Sequence, residues 1–112
     1  MSWHAFLGGD TIGQIGSEQG IIIADDEHPD GARITLERDG DIASYAITCG
    51  IYGWMFHTRF FASEEEARSA FDTMREALGT IVAAIPMESD PEAKAKSSAV
   101  IRAISQFVET FP

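Results

Sequence analysis

The sequence predicts an α+β protein in which an antiparallel meander sheet of about four strands is covered on one face by two C-terminal helices. Between residues 21 and 61, short runs of β-branched and aromatic residues alternate with turns containing Gly, Pro or Asp. Residues 63–85 and 90–110 then place apolar residues at helical spacing. The 112 residues fit a single domain.

Residues 1–20 form the least regular part of the chain. Five glycines separate scattered apolar residues, and glycine disfavours the interior of both helices and strands. We expect this segment to lie over an edge of the sheet or to add a short extra strand.

The run Ile21-Ile22-Ile23-Ala24 predicts the first strand of the meander. Because side chains alternate between the two faces of a strand, either Ile22 or the pair Ile21 and Ile23 must lie on the face opposite the helices. That face needs an apolar cover, which we expect from the N-terminal residues or from a second copy of the protein.

Residues 32–38 alternate between apolar and polar side chains, as in a strand with one solvated face. Asp39-Gly40, which follows, is a favoured two-residue hairpin turn. This turn predicts that Ile34 pairs with Tyr45.

A second hairpin is predicted around Ile51 and Tyr52, which lie between Gly50 and Gly53. The predicted cross-strand pairs are Cys49–Trp54, Ile47–Phe56, Tyr45–Thr58 and Ala43–Phe60. This register directs the aromatic side chains Trp54, Phe56 and Phe60 toward the helices. His57 and Arg59 then point to the uncovered face.

Both helices have start signals. Ser63 is followed three residues later by Glu66, which is the pattern of a capping box, and Pro86 ends the first helix. Asp90 and Pro91 fit the cap and the first turn of the second helix.

The formal net charge of −10 argues against a nucleic-acid or anionic-membrane partner, because either would require a basic patch. No apolar run approaches the roughly 18 residues of a membrane span. We therefore expect a cytoplasmic protein. The single cysteine, Cys49, falls on the predicted core face, where burial would make it unreactive.

Polar residues converge on the predicted uncovered face. Arg33, His57 and Arg59 would surround a floor containing Ser44, an arrangement that suits a small anion such as a carboxylate. His57 is also a candidate general base, although the sequence provides no partner to orient it. The simpler interpretation is a solvated face with cross-strand ion pairs. The histidines and Cys49 lack zinc-site spacing, so no metal or cofactor is expected.

Apolar residues that the predicted fold leaves uncovered indicate an interface. The candidates are Ile21, Ile23, Tyr52 and Met55. We therefore expect a small acidic, non-enzymatic interaction module that forms a homo-oligomer, most simply a dimer, through the uncovered sheet face or its edge, with another protein as a possible partner. The alternatives are an anionic-ligand or enzymatic site at Arg33, His57 and Arg59, and an acidic inhibitor of a basic protein.

Overall fold

The four apolar runs between residues 21 and 61 form strands, and a fifth, very short strand precedes them. The computed structural model describes residues 3–112. The elements are β1 His4–Ala5, β2 Ile21–His28, β3 Ala32–Arg38, β4 Tyr45–Ile51, β5 Met55–Phe61, α1 Glu64–Ala83 and α2 Ala93–Thr110. The strands form one antiparallel sheet in the order β1-β2-β3-β4-β5. The predicted α+β class is confirmed, with one strand more than expected.

The core lies between α1 and the middle strands, on what we call the helix side of the sheet. Alternate residues of β3 and β4 point to this side, and the apolar stripe of α1 covers them. The most deeply buried residues of the core are Ala32, Ile34, Leu36, Ile47, Cys49, Ile51, Ala67, Met74, Leu78, Val82 and, from α2, Val100. Burial raises the pKa of the Cys49 thiol to about 12, so this group stays protonated at neutral pH.

Helix α1 begins where the sequence signals indicate. The Ser63 side chain accepts a hydrogen bond from the Glu66 backbone N–H at 3.2 Å, which satisfies one of the free donors of the first turn. Helix α2 begins at Ala93, later than expected, because Asp90 lies in the preceding turn. There its carboxylate accepts from the Glu92 N–H at 2.8 Å and pairs with Lys96 at 2.6 Å. Among the described helices, none has the length and apolar character needed to cross a membrane.

The predicted two-residue turn between β3 and β4 is wrong. Ile34 pairs with Cys49 instead of Tyr45, and residues 39–44 form a longer loop in which the Asp39 N–H donates to the Ser44 carbonyl at 2.7 Å. The register therefore differs by four residues. Because this number is even, the predicted faces of β3 and β4 are preserved.

The predicted register between β4 and β5 is also wrong, and here the faces change. Cys49 pairs with His57 instead of Trp54, a difference of three residues. Because the difference is odd, every side chain of β5 moves to the opposite face. Phe56 and Phe60 now lie away from the helices, whereas His57 and Arg59 lie on the helix side.

The cause of this change is the turn. Trp54 donates its backbone N–H to the Ile51 carbonyl at 2.9 Å, and Gly53 has a φ of 83°, which suits the third position of a type II turn. The connection therefore contains three residues, and Ile51 pairs with Met55. Trp54 lies at the end of this turn, where it is half-buried against the core.

Of the alternatives stated for the N-terminal segment, the described residues 3–20 show the short extra strand, and the remainder lies across a face of the sheet rather than over its edge. β1 adds the extra strand, pairing with β2 through His4 opposite Glu27. Residues 6–20, here called the N-terminal cover, then lie across the other face of the sheet. Ile22 exchanges backbone hydrogen bonds with Gly13 and Gln14 at 2.8 and 2.9 Å and is buried beneath this segment. Ile22 is thus covered by the backbone of a segment of the same chain.

Candidate interaction surface

The face of the sheet opposite the helices, here called the open side, is covered over only part of its width. Residues of the N-terminal cover contact side chains of β2 and β3. On β5 the side chains Phe56, Thr58 and Phe60 point to the same side, and we call these three residues the exposed strip. The open side therefore consists of a covered half and an uncovered half.

Asp25 attaches the first part of the N-terminal cover to the sheet. Its carboxylate is only 3% exposed and accepts a hydrogen bond from Thr11 at 2.8 Å. Arg33 binds the same carboxylate through two nitrogens at 2.9 and 2.7 Å, and Thr35 donates to it at 3.0 Å. The buried charge is thus neutralised and hydrogen-bonded, as burial of a carboxylate requires.

Glu37 attaches the second part of the cover. It is 1% exposed, and its Oε1 accepts the backbone N–H groups of Glu18 at 3.1 Å and Gly20 at 3.0 Å. A Cβ on Gly16 would come within 2.3 Å of the Glu37 carboxyl carbon, so only glycine fits there without movement of Glu37. The glycines in this segment therefore permit close approach to a buried carboxylate.

Arg33 is committed to internal contacts. Its guanidinium bonds to Asp25 on one edge, and its face lies 3.6 Å from the centre of the Phe6 ring. Hydrogen bonding to the Asp25 carboxylate, in which Arg33 is the donor, raises the pKa of Arg33 above its ordinary value. Its positive charge is thus balanced by a buried acid, which reduces its attraction for an external anion.

A groove separates the N-terminal cover from the tip of the β4–β5 hairpin. It has a volume of about 620 Å³. Ile15 and Ser17 line one side, and Tyr52 and Phe56 line the other. Gly50 lies in its floor, in the row between Arg33 and Phe56, so the groove extends down to the backbone of β4. Glycine within a strand often allows close approach of another group.

Apolar side chains rim this groove and continue along the exposed strip. Phe56 is 77% exposed and Phe60 is 41% exposed, and Ile15 across the groove is 63% exposed. Tyr52 is fixed beside them by a hydrogen bond from its hydroxyl to Glu27 at 2.8 Å. Partial desolvation of the Tyr52 hydroxyl, together with that hydrogen bond, raises the pKa of Tyr52 to about 12. The uncovered half is therefore apolar and carries an uncharged phenol at its end.

Within residues 3–112, no further strand pairs with the outer edge of the sheet at β5. β5 pairs with β4 alone, and its seven residues contain no proline, lysine, aspartate or glutamate. Natural edge strands are commonly protected by such residues, by bulges or by short length. The opposite edge differs, because β1 has only two residues.

The predicted anion site is not assembled. Arg33 lies on the open side, whereas His57 lies on the helix side and donates its Nε2–H to the Phe111 carbonyl. Arg59 also lies on the helix side, with its guanidinium 4.9 Å from the Phe61 ring centre. Ser44 lies in the loop before β4 rather than within a strand. The odd register difference of β5 separates these residues.

The predicted interface residues have mixed positions. Tyr52 is exposed beside the groove, as expected for a surface residue. Ile21 is half-buried, and Ile23 and Met55 pack against the core. Phe56 and Phe60 were not predicted as surface residues, because a two-residue turn directs them inward. Gly53, at the third position of the type II turn Ile51–Trp54, was the signal that distinguished the two registers.

Neither a protein-family model, nor a curated protein, nor a solved structure matches this chain. In the described residues 3–112, no three His, Cys, Asp or Glu side chains are grouped as metal ligands.

Proposed function

We propose that the protein is a small acidic, non-enzymatic interaction module that self-associates through the β5 edge and the exposed strip. One observation carries this proposal. Phe56 and Phe60 project from the same face, one on each side of Thr58, of a seven-residue edge strand that lacks protective residues. Such a strand offers backbone hydrogen-bonding groups and apolar area at the same place, which is the combination used in β-strand addition.

The charge distribution supports a second copy as the occupant. The chain has a formal net charge of −10, so two copies repel one another over most of their surfaces. β5 contains no acidic residue, and its one formally charged side chain is that of Arg59. Two copies that meet at β5 therefore avoid direct contact between carboxylates. Repulsion between carboxylates would destabilise most other contacts between two copies.

The proposal includes a cytoplasmic location. The single cysteine is a free, buried thiol, and a protein that needs no disulfide suits a reducing compartment. Association there would depend on the local concentration of the protein, because it competes with the repulsion between acidic chains.

Sedimentation velocity over a micromolar to millimolar concentration series tests this function. We expect wild type to shift from monomer toward dimer, and more strongly at high salt, because salt screens the repulsion between acidic chains. Phe56→Lys places a charge in the strip and is expected to leave a monomer. Met87→Lys is the matched control, since Met87 is 76% exposed and lies in the link between the helices.

A wild-type protein that remains monomeric throughout the series would refute self-association. Equal loss of dimer in both lysine variants would show that general charge, rather than the exposed strip, controls association. A complex with a basic protein that weakens as salt increases would instead support the acidic-inhibitor function.

A further inference from the structure

We infer that two copies pair their β5 strands antiparallel about a twofold axis at Thr58, which places Phe56 of each copy opposite Phe60 of the other. This inference rests on the proposed self-association and adds the register and symmetry of the contact. It follows from the positions of the exposed side chains on β5 and from the geometry of antiparallel pairing.

Copies of one chain most often associate through a twofold axis, which brings the same surface of each copy together. When an edge strand pairs with its own copy in this way, the strands run antiparallel and extend the sheet. The five strands of each copy would then form one continuous sheet with the exposed strips side by side.

The alternation of side chains between the two faces limits the registers in which two β5 strands can pair. Residues opposite one another in an antiparallel pair have side chains on the same face. A residue of β5 can therefore oppose only residues an even number of positions away, so the twofold axis must pass through a residue. With the axis at Thr58, Phe56 opposes Phe60 of the second copy and Phe60 opposes its Phe56.

Only one of these registers places both Phe56 and Phe60 opposite a phenylalanine. An axis at His57 or Arg59 would place at least one exposed phenylalanine opposite a residue other than phenylalanine. The axis at Thr58 forms two Phe56–Phe60 cross-strand pairs on the open side, one on each side of Thr58, and pairs all seven residues of β5. Aromatic cross-strand pairs are among the more stabilising pairs in sheets.

The size of this contact predicts its strength. Each copy contributes one strand and two partly exposed rings. We therefore expect the contact to bury less surface than the roughly 1,200 Å² at the lower end of stable interfaces. The dimer should consequently be weak and should form reversibly as concentration rises. This agrees with a chain that repels itself elsewhere.

Disulfide trapping tests the register. Residues directly opposite in a sheet have Cβ atoms roughly 4.5–5.5 Å apart, within reach of a small adjustment to disulfide geometry. Thr58→Cys should therefore give a covalent dimer under mild oxidation at concentrations where wild type self-associates. Wild type is a control, because its only thiol, Cys49, is buried and unreactive. Ser44→Cys, an exposed thiol in the loop before β4, controls for random collision.

A second pair of variants keeps the test independent of Thr58. Phe56→Cys and Phe60→Cys should each yield little covalent dimer alone, but a mixture of the two should cross-link. Cross-linking of the mixture and of Thr58→Cys, above the Ser44→Cys level, supports the register. A wild-type dimer in sedimentation without either cross-link would overturn the register while leaving self-association intact. A monomeric wild type would remove the proposed function itself.

Discussion

Two buried carboxylates determine where the N-terminal cover lies. Asp25 and Glu37 both project from the strands to the open side, and each accepts hydrogen bonds from the cover. Leu7, Ile12 and Ile15 remain exposed on the cover itself. The segment is therefore held on the sheet largely by polar contacts, which is consistent with its many glycines and few regularly spaced apolar residues.

Replacing Glu37 should destabilise the protein strongly. Glu37→Ala removes the acceptor for the Glu18 and Gly20 N–H groups and leaves a cavity, so we expect a loss of about 2–4 kcal/mol in the free energy of unfolding. Glu37→Gln should cost less, because one side-chain oxygen accepts from both N–H groups. Urea denaturation measures both changes.

The control for this prediction is Glu76→Ala, which removes an exposed acid from α1. A surface change of this kind is expected to stay within about 0.5 kcal/mol of wild type. If Glu37→Ala were equally neutral, the Glu37 carboxylate would not hold the cover in place.

At the residue scale, the sequence predicts which apolar residues form the core but does not predict that the carboxylates of Asp25 and Glu37 are buried. Ile34 and Leu36 are buried as the alternating pattern indicates. Glu37 falls in the polar phase of that pattern, which by itself predicts contact with water. Its burial depends on backbone N–H groups of a segment far away in sequence, and neither periodicity nor composition reveals those donors.

At the scale of elements, the helices were more predictable than the hairpins. The α1 stripe and its Ser63 cap depend on neighbours within four residues, so local spacing is sufficient to identify them. The register of β5 depends on one additional residue in a turn. A single odd difference reversed the positions of Phe56 and His57, although the number and order of the main strands were unaffected.

The Ser63 cap gives a prediction for α1. Ser63→Ala should lower the free energy of unfolding by about 1 kcal/mol, because the Glu66 N–H loses its side-chain acceptor. Ser69→Ala is the matched control within the exposed part of the same helix. It should be neutral or slightly stabilising, since alanine has the higher helix propensity. Thermal unfolding followed by circular dichroism compares them, and equal melting temperatures would contradict the capping role.

At the scale of the whole molecule, the two faces of the sheet differ in how completely they are covered. The helix side carries the core and also uses His57, which bonds to the Phe111 carbonyl and connects β5 with the residue after α2. On the open side, the N-terminal cover lies over β2 and β3 and reaches β4 through Ser17, whose hydroxyl lies 3.4 Å from that of Thr48, but it leaves Phe56 and Phe60 of β5 exposed. The remaining apolar strip lies at a free edge of an otherwise strongly acidic protein, and this asymmetry is the basis for proposing self-association.

The most direct measurement is a concentration series of two-dimensional amide NMR spectra of the wild-type protein. We expect concentration-dependent shifts or broadening of the amide signals of Met55–Phe61, while the signals of the exposed face of α1 stay unchanged. Spectra that do not change with concentration, or changes centred on the helices instead of β5, would contradict the proposal that the free sheet edge is where two copies meet.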